Sequence, residues 1–485
     1  MEVTQLLAIG LAAVLVLIVG MYWRLRNTTW AARPPIIVGD PDVTRRLIFD
    51  HADAFSNHPL FPLGIDLDAG HPKTTSITSA PYGPFWRAIR RNLTVNILHP
   101  SRVAELLVPL QRDAVDALVA DVSSAAARDT VVGVRDAVYA AVFSTVARLC
   151  FGEDVGDHHD VRSMQKMLHD FFHDEVGAFD LLTSRWARLV HRGKWRHLLS
   201  TRSWLGDAFG PVIASRRLSR GSRSNNDGGG MARSYLDSLL DVRVPGNFDD
   251  PGESSNEAPR GLRDDEIIKL VWEFLGASTE AVVAIIEWTM AHLVAKPEVQ
   301  EKLYLELTAG DHQNGQVSDE RLRDTPYLRA VVLETLRLHP PLPMLIRDVG
   351  PDGAAAAGIP TPPNGTVARF MFNAEVIGRD PKVWSDPEEF RPERFISGGE
   401  AENLSLVPGP KEIKMVPFGA GRRHCPGAGL SMVHIGAIVA ALVREFEWAP
   451  PEDGGGVDLT DSTALFVKVM ASPLRARVTP RVSQS

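Results

Sequence analysis

Residues Pro417–Gly429 read PFGAGRRHCPGAG, and this loop holds one of only two cysteines in a chain of 485 residues. Glycines at 419, 421, 427 and 429 remove side chains and permit left-handed turns, so backbone can approach a flat object closely. Arg422 and Arg423 bring positive charge beside the sulfur. That charge, the local N–H groups and a helix starting after Pro426 favour thiolate over thiol. A thiolate so placed is a nucleophile or a metal ligand. A nucleophile needs a base, and His424 is the only local candidate; adjacent loop residues rarely face one another productively. Zinc needs partner ligands at short spacing, and no second cysteine is near. A lone thiolate with a clear flat approach, and an arginine for a carboxylate, suits haem.

The rest of the composition is that of an ordinary globular protein: 44% hydrophobic, 23% charged. A net charge of -8 gives no global reason to expect nucleic acid as a partner. No internal repeat is evident. Two cysteines cannot build a disulfide framework. Cys150, in TVARLCFGED, reads as a small buried hydrophobe, and the bulk of the chain as facing a reducing compartment.

The N-terminus differs. Leu6 to Trp23, LLAIGLAAVLVLIVGMYW, carries no charge and approaches the length of about 20 residues that spans a bilayer. Arg24, Arg26 and Arg33 follow it, which places the remainder in the cytosol by the positive-inside rule. A cleaved signal peptide is the competing reading; it wants a basic start and a small-residue cleavage site, and neither is clear.

Beyond a short linker, PPIIVGDPDVTRRLIF predicts a strand and a helix capped by Asp40 or Asp42. Asn92 to Trp204 is mostly helical in pattern. Arg216 to Arg263 is polar and Gly-rich and reads as surface loops, with SYLDSLL as a short helix. Asp264 to Ala295 predicts one long helix, apolar nearly all round and therefore central. Further helices are expected from Pro297, over Tyr327 to Leu338, and from about Gly427 to Phe446. Short strands are expected in HPPLPMLIRDV and IPTPPNGTVARFMFNAEV. The fold class is mainly α with a minor β-sheet region, not an alternating α/β chain.

In the cysteine loop Phe418, Gly421, Arg423, Cys425 and Gly427 stand at Phe-x-x-Gly-x-Arg-x-Cys-x-Gly spacing. This resembles the haem-binding signature of the cytochromes P450. The resemblance makes Cys425 the axial iron ligand, Arg423 a contact to a haem propionate, and Phe418 a neighbour of the sulfur. LETLRLHP holds Glu334 and Arg337 on one helix face, and PERF holds Arg394. Alone, the first two read as an exposed pair worth tenths of a kcal/mol. The family likeness makes the three a buried triad that holds the core around the loop. WRAIRR offers Trp86 and Arg90 one helical turn apart, and Arg347 follows a proline-rich turn. The likeness makes all three haem-propionate contacts.

Within the long helix, LGASTEAVV aligns with the family's oxygen-binding stretch at Ala277, Ser278, Thr279, Glu280 and Ala281. The acid is present as Glu280, but the family's threonine is replaced by Ala281. The likeness gives proton delivery to Glu280 with Ser278 or Thr279. A second departure lies at 24–34, where the family's hinge and first strand are apparently missing. The expected organisation is a membrane anchor at 1–23, a short linker at 24–34 and a haem-thiolate catalytic domain at 35–485.

The resemblance therefore implies the P450 fold behind one transmembrane helix, in a microsomal enzyme of the plant type. It implies haem b as cofactor, and NADPH only indirectly through NADPH-cytochrome P450 reductase; no Gly-x-Gly-x-x-Gly follows a strand here. Arg87, Arg90, Arg91, Lys411, Lys414, Arg422 and Arg423 supply a basic patch for that acidic partner. The expected partners are the reductase, a bilayer through residues 6–23 and a small lipophilic substrate. The expected place is the endoplasmic reticulum membrane, with the catalytic domain in the cytosol. The expected activity is monooxygenation. Two alternatives stand beside it: a haem-thiolate isomerase or dehydratase needing no reductase, consistent with Ala281, and a non-catalytic haem-binding membrane protein.

Overall fold

The computed structural model describes residues 35–59, 65–66, 73–128, 131–152, 161–171, 192–222, 234–246, 258–309, 325–362, 367–452, 456–462 and 467–481. The expected anchor at 6–23 and linker at 24–34 lie outside the described residues, as do most of the segments 60–72 and 172–191.

The helices that build the site and core, in order, are α1 Pro41–Arg45, α2 Pro84–Asn96, α3 Val108–Ala126, α4 Val134–Phe151, α5 Val161–Asp170, α6 Arg192–Ser222, α7 Tyr235–Asp241, α8 Asp264–Ala295, α9 Pro297–Thr308, α10 Pro326–Leu338 and α11 Ala428–Glu445; shorter ones stand at Pro100–Arg102, Pro351–Ala356 and Ala374–Gly378. The fold is mainly α with small sheets, as the periodicities predict. α8 starts where charge and capping dictate. The Arg263 N–H donates to the Glu266 carboxylate at 2.8 Å, and Asp264, Asp265 and Glu266 fill the first turn, where the helix dipole favours negative charge. It ends at Ala295, just before Pro297 opens α9. Its apolar residues point in almost every direction, and α4, α6, α10 and α11 pack around it. Cys150 lies in α4, fully buried in this core, where desolvation raises its thiol pKa.

One correction concerns α6. It runs to Ser222, beyond the point where low hydrophobicity suggests a loop. Its last turns are held by ion pairs, not apolar burial. Arg216 pairs with Asp237 at 2.8 Å, Arg217 with Asp264 at 2.6 Å and Arg220 with Asp241 at 2.7 Å.

The main sheet has the order β1-β8-β7, from β1 Ile36–Val38, β7 Met344–Val349 and β8 Ala368–Asn373. β1 runs parallel to β8 with Ile37 opposite Met371, and β7 runs antiparallel to it with Leu345 opposite Phe372. β1 forms an edge, and Ile37 on it is 64% exposed. A second sheet, β4-β10-β9, joins Val132–Gly133, Arg475–Pro480 and Phe446–Ala449, and two short pairs stand apart, β2 Ile65–Asp66 with β3 Lys73–Thr74 and β5 Arg243–Val244 with β6 Arg260–Gly261. The strands of this second sheet do not stand out in the sequence.

The helices enclose one apolar core and the β1-β8-β7 sheet a smaller one. The cysteine loop lies at their seam. Val416 and Ala420 belong to the sheet core, while Phe418 packs on the helical one. Among the described residues α11 is the one helix long and apolar enough to cross a membrane, but most of it is buried inside the protein.

Candidate haem-thiolate site

Two left-handed glycines shape the loop. Gly419 has φ +69° and Gly421 φ +67°. The Cys425 N–H closes the turn onto the Phe418 carbonyl at 2.7 Å, and the His424 N–H donates to the Gly421 carbonyl at 3.2 Å. Gly421 is required twice, because a Cβ there would meet Ile48 Cγ2 at 2.5 Å. Gly427 and Gly429 are different: they lie outside the left-handed region, and Gly427 is the N-cap of α11. Gly421→Ala is expected to cost about 1–2 kcal/mol for the backbone conformation and about 1–3 kcal/mol for displacing Ile48. Thermal denaturation would show it, and Gly427→Ala, with only ordinary contacts to Sγ and to Ser431 Oγ, would show far less.

The sulfur's surroundings differ from the sequence expectation. Arg422 pairs with Asp53, and Arg423 points into the protein. Cys425 keeps partial exposure, yet the protein around it is dense enough that desolvation raises its thiol pKa. The Gly427 N–H and the Arg90 charge pull the other way without cancelling it. The adjacent arginines therefore do not make the thiolate; a metal on the sulfur would supply the missing charge. The His424 Nδ1 donates to the Gly421 carbonyl at 2.9 Å, and no hydrogen bond among the described residues joins its side chain to Cys425. Among the described residues no three His, Cys, Asp or Glu side chains gather in a way that could hold a metal ion.

Three arginines from distant parts of the chain converge beside the loop. Arg90, on α2, donates to the His424 carbonyl at 2.7 Å and lies over the Trp86 ring. Arg423 covers the same ring and donates to the carbonyls of Ser56 at 2.7 Å, Ile77 at 3.0 Å and Ala80 at 2.6 Å. That leaves two of its five N–H donors for a ligand. Trp86 is fixed by its own bond to Ile77 O at 2.9 Å. Arg347, on β7, is 2% exposed, and among the described residues its one hydrogen bond is to the carbonyl of its neighbour Ile346. Burial and the charge of Arg423 pull its pKa down to about 9. His58 sits within the field of all three arginines, its pKa lowered chiefly by burial, and bonds Thr78 O at 2.9 Å. No carboxylate among the described residues forms an ion pair with Arg90, Arg347 or Arg423. Buried guanidiniums left so call for an anion, and the carboxylates of haem fit them.

The middle of α8 is the other part of the site. Lys269, Glu273, Ala277 and Ala281, with Ser278, form the stripe that protein covers least. Ala277 is exposed, although the helix lies in the core. Small side chains on this stripe leave room next to the helix. Thr279 and Glu280 lie on the covered side. Thr279 is fully buried, and its hydroxyl has no hydrogen-bond partner among the described residues. Glu280 accepts a 2.5 Å bond from Tyr139 of α4, and burial pushes its pKa up to about 7. Ser278 is thus the member of the trio on the open stripe. Tyr139 is not a residue that sequence reasoning finds, because nothing local in VRDAVYAAV marks it.

Glu334, Arg337 and Arg394 come together, each no more than 1% exposed. Arg337 grips Glu334 bidentately, at 2.7 Å through both Nε and Nη2, and Arg394 Nε donates to the same carboxylate at 3.1 Å. Glu400 is a fourth member, paired with Arg394. It balances two positive charges with two negative ones, and no sequence signal picks it out.

Comparison with known proteins agrees with this geometry. The family model described as Cytochrome P450 matches residues 22–476. Cytochrome P450 89A9 of Arabidopsis thaliana is 33% identical over 93% of this chain and 85% of its own length. Cytochrome P450 78A3 of Glycine max is 32% identical over 92% of this chain and 79% of its own. Germacrene A hydroxylase of Helianthus annuus is 28% identical over 89% and 81%. A solved zebra fish cytochrome P450, in a structure titled with abiraterone, shares the fold at a TM-score of 0.66 and 22% identity, covering 92% of this chain and 93% of that one. With a cysteine loop at the seam of two cores, arginines beside it that form no ion pair among the described residues, and relatives matched along most of their length, this chain belongs to the cytochrome P450 family and is one of its haem-dependent monooxygenases.

Proposed function

We propose that the chain inserts one oxygen atom from O2 into a small lipophilic substrate, taking electrons from NADPH through a separate reductase. The observation that carries the reading is the cluster of Arg90, Arg347 and Arg423 beside the Cys425 loop, none of which forms an ion pair with a carboxylate among the described residues. Cys425 would hold the haem iron. Arg90, Arg347 and Arg423 would hold its propionates, with Trp86 keeping two of them in place. Phe418, Gly421 and Gly427 would shape the pocket around the sulfur. When bound, the haem supplies oxygen activation, which an electron-rich thiolate favours. The chain's own work is to position groups, exclude water and move protons. Glu280, held by Tyr139 and with a pKa near neutrality, suits general acid–base work. Ser278 on the open stripe, with Thr279 buried beside it, would pass protons onward.

The small residues of the α8 stripe fit an apolar substrate, and two relatives carry the name germacrene A hydroxylase. The reductase surface is smaller than sequence suggests. Arg90 and Arg423 turn inward, Arg422 pairs with Asp53, and Lys414 bonds the Glu400 carbonyl. Arg87, Arg91 and Lys411 remain exposed for an acidic partner. Residues 1–23 would anchor the chain in the endoplasmic reticulum membrane, with 35–485 as the catalytic domain in the cytosol.

The test uses the full chain, reduced and exposed to carbon monoxide. A strongly red-shifted Soret band is expected, and Cys425→Ser should abolish it. A wild-type spectrum typical of a neutral haem ligand would refute the reading. Ala281 favours a second reading, isomerisation or dehydration without a reductase. Turnover of an oxygenated substrate with neither NADPH nor reductase would select it.

A further inference from the structure

Glu273 lies on the least covered stripe of α8, one turn before Ala277, yet its carboxylate is fully engaged. Oε2 accepts the Ile77 N–H at 2.7 Å and Oε1 the Thr78 N–H at 2.6 Å. The side chains of Ser76 and Thr78 bond it as well. These belong to the turn 76–80, closed on itself by the Ala80 N–H on the Ser76 carbonyl at 2.9 Å. The turn's carbonyls point the other way. Ile77 O receives Trp86 and Arg423, Ala80 O receives Arg423, and Thr78 O meets His58. A carboxylate of the central helix and a guanidinium of the cysteine loop therefore grip opposite sides of one short turn. The turn's own sequence, SITSA, gives it little reason to hold a shape. Without Glu273 the Ile77 and Thr78 N–H groups would lose their acceptor.

We infer that Glu273 is a positioning residue: it locks the 76–80 turn between α8 and Arg423, so the open stripe of α8 and the seat of Arg423 form one coupled unit. Reading that stripe as the substrate side rests on the haem-thiolate function proposed above; the lock itself does not. Losing a charge-assisted bond at each amide is expected to raise exchange there by about 10–100-fold.

The experiment compares hydrogen–deuterium exchange in the full-length wild type, Glu273→Ala and Glu273→Gln. The Ala variant should expose the peptide spanning 76–80, with peptides of α9 and α10 unchanged. The Gln variant, which keeps one acceptor oxygen, should fall between. The second readout is the association rate of 4-phenylimidazole with the ferric protein. It should rise in the same order, Gln then Ala, at an unchanged thermal midpoint. Protection of 76–80 that survives in both variants would overturn the lock. So would exchange that rises equally everywhere, since the role would then be merely structural. A wild type that gives no azole spectrum would refute the haem reading alone, and the exchange comparison would still decide the lock.

Discussion

Glu334→Ala is expected to destabilise the protein by about 3–5 kcal/mol, the range for breaking a buried ion pair from one side. The reason lies in what the carboxylate does, not in the strength of one contact. It receives Arg337 twice, Arg394 once, and the Arg391 N–H at 2.8 Å. Removing it strands two buried guanidiniums, with Glu400 as the one remaining carboxylate in the network. The other donors of Arg337 already reach the carbonyls of Gly378 at 2.9 Å and Pro387 at 2.6 Å, so they cannot turn to compensate. An exposed i,i+3 pair would cost only tenths of a kcal/mol. Denaturant midpoints at unchanged slope separate the two magnitudes. Glu334→Gln keeps the shape and removes the charge, so it should lose nearly as much. A loss below about 1 kcal/mol would return the pair to the surface reading.

Legibility in the sequence follows the range of the interaction. α8 is readable to its ends, because its acidic first turn, apolar body and following proline are local signals. The cysteine loop is readable for the same reason, since its glycines and cysteine act within a few residues. The sheet β4-β10-β9 is not, because Val132–Gly133 has no pattern of its own and gains its pairing from Arg475–Pro480. The end of α6 was hidden because ion pairs with α7 and α8 hold it where periodicity finds too few apolar residues. The site divides in the same way. Arg90, Trp86, Arg347 and Arg423 each lie in a local motif. Glu273, His58 and Tyr139 act on partners far along the chain, and no local spacing marks them; Glu400 meets Arg394 six residues away, yet belongs to no motif. The proton groups show the limit most clearly. LGASTEAVV gives the residue types, but only the fold decides that Glu280 meets Tyr139 while Ser278 and Ala281 share the open side.

Replacing Arg347 with methionine should have effects of opposite sign in the apo and haem-loaded protein. Without haem, Arg347 is a buried cation with one backbone acceptor and Arg423 repelling it. An apolar side chain of similar length removes that cost, so the apo midpoint should rise by the equivalent of about 1–3 kcal/mol. With haem bound, a charge-assisted bond to a carboxylate worth about 1.5–3 kcal/mol would be lost. Haem transfer to apomyoglobin should then be faster by about 10–100-fold. Arg347→Lys should keep the charge but not the fork, and so fall between the two on haem transfer. The opposition of signs is the informative part. A residue kept for the fold lowers both stabilities when removed, whereas one kept for an anionic ligand lowers only the second. If Arg347→Met destabilises the apo protein, its charge is already compensated within the chain. The case for a propionate seat would then rest on Arg90 and Arg423, whose donors are partly taken by backbone carbonyls.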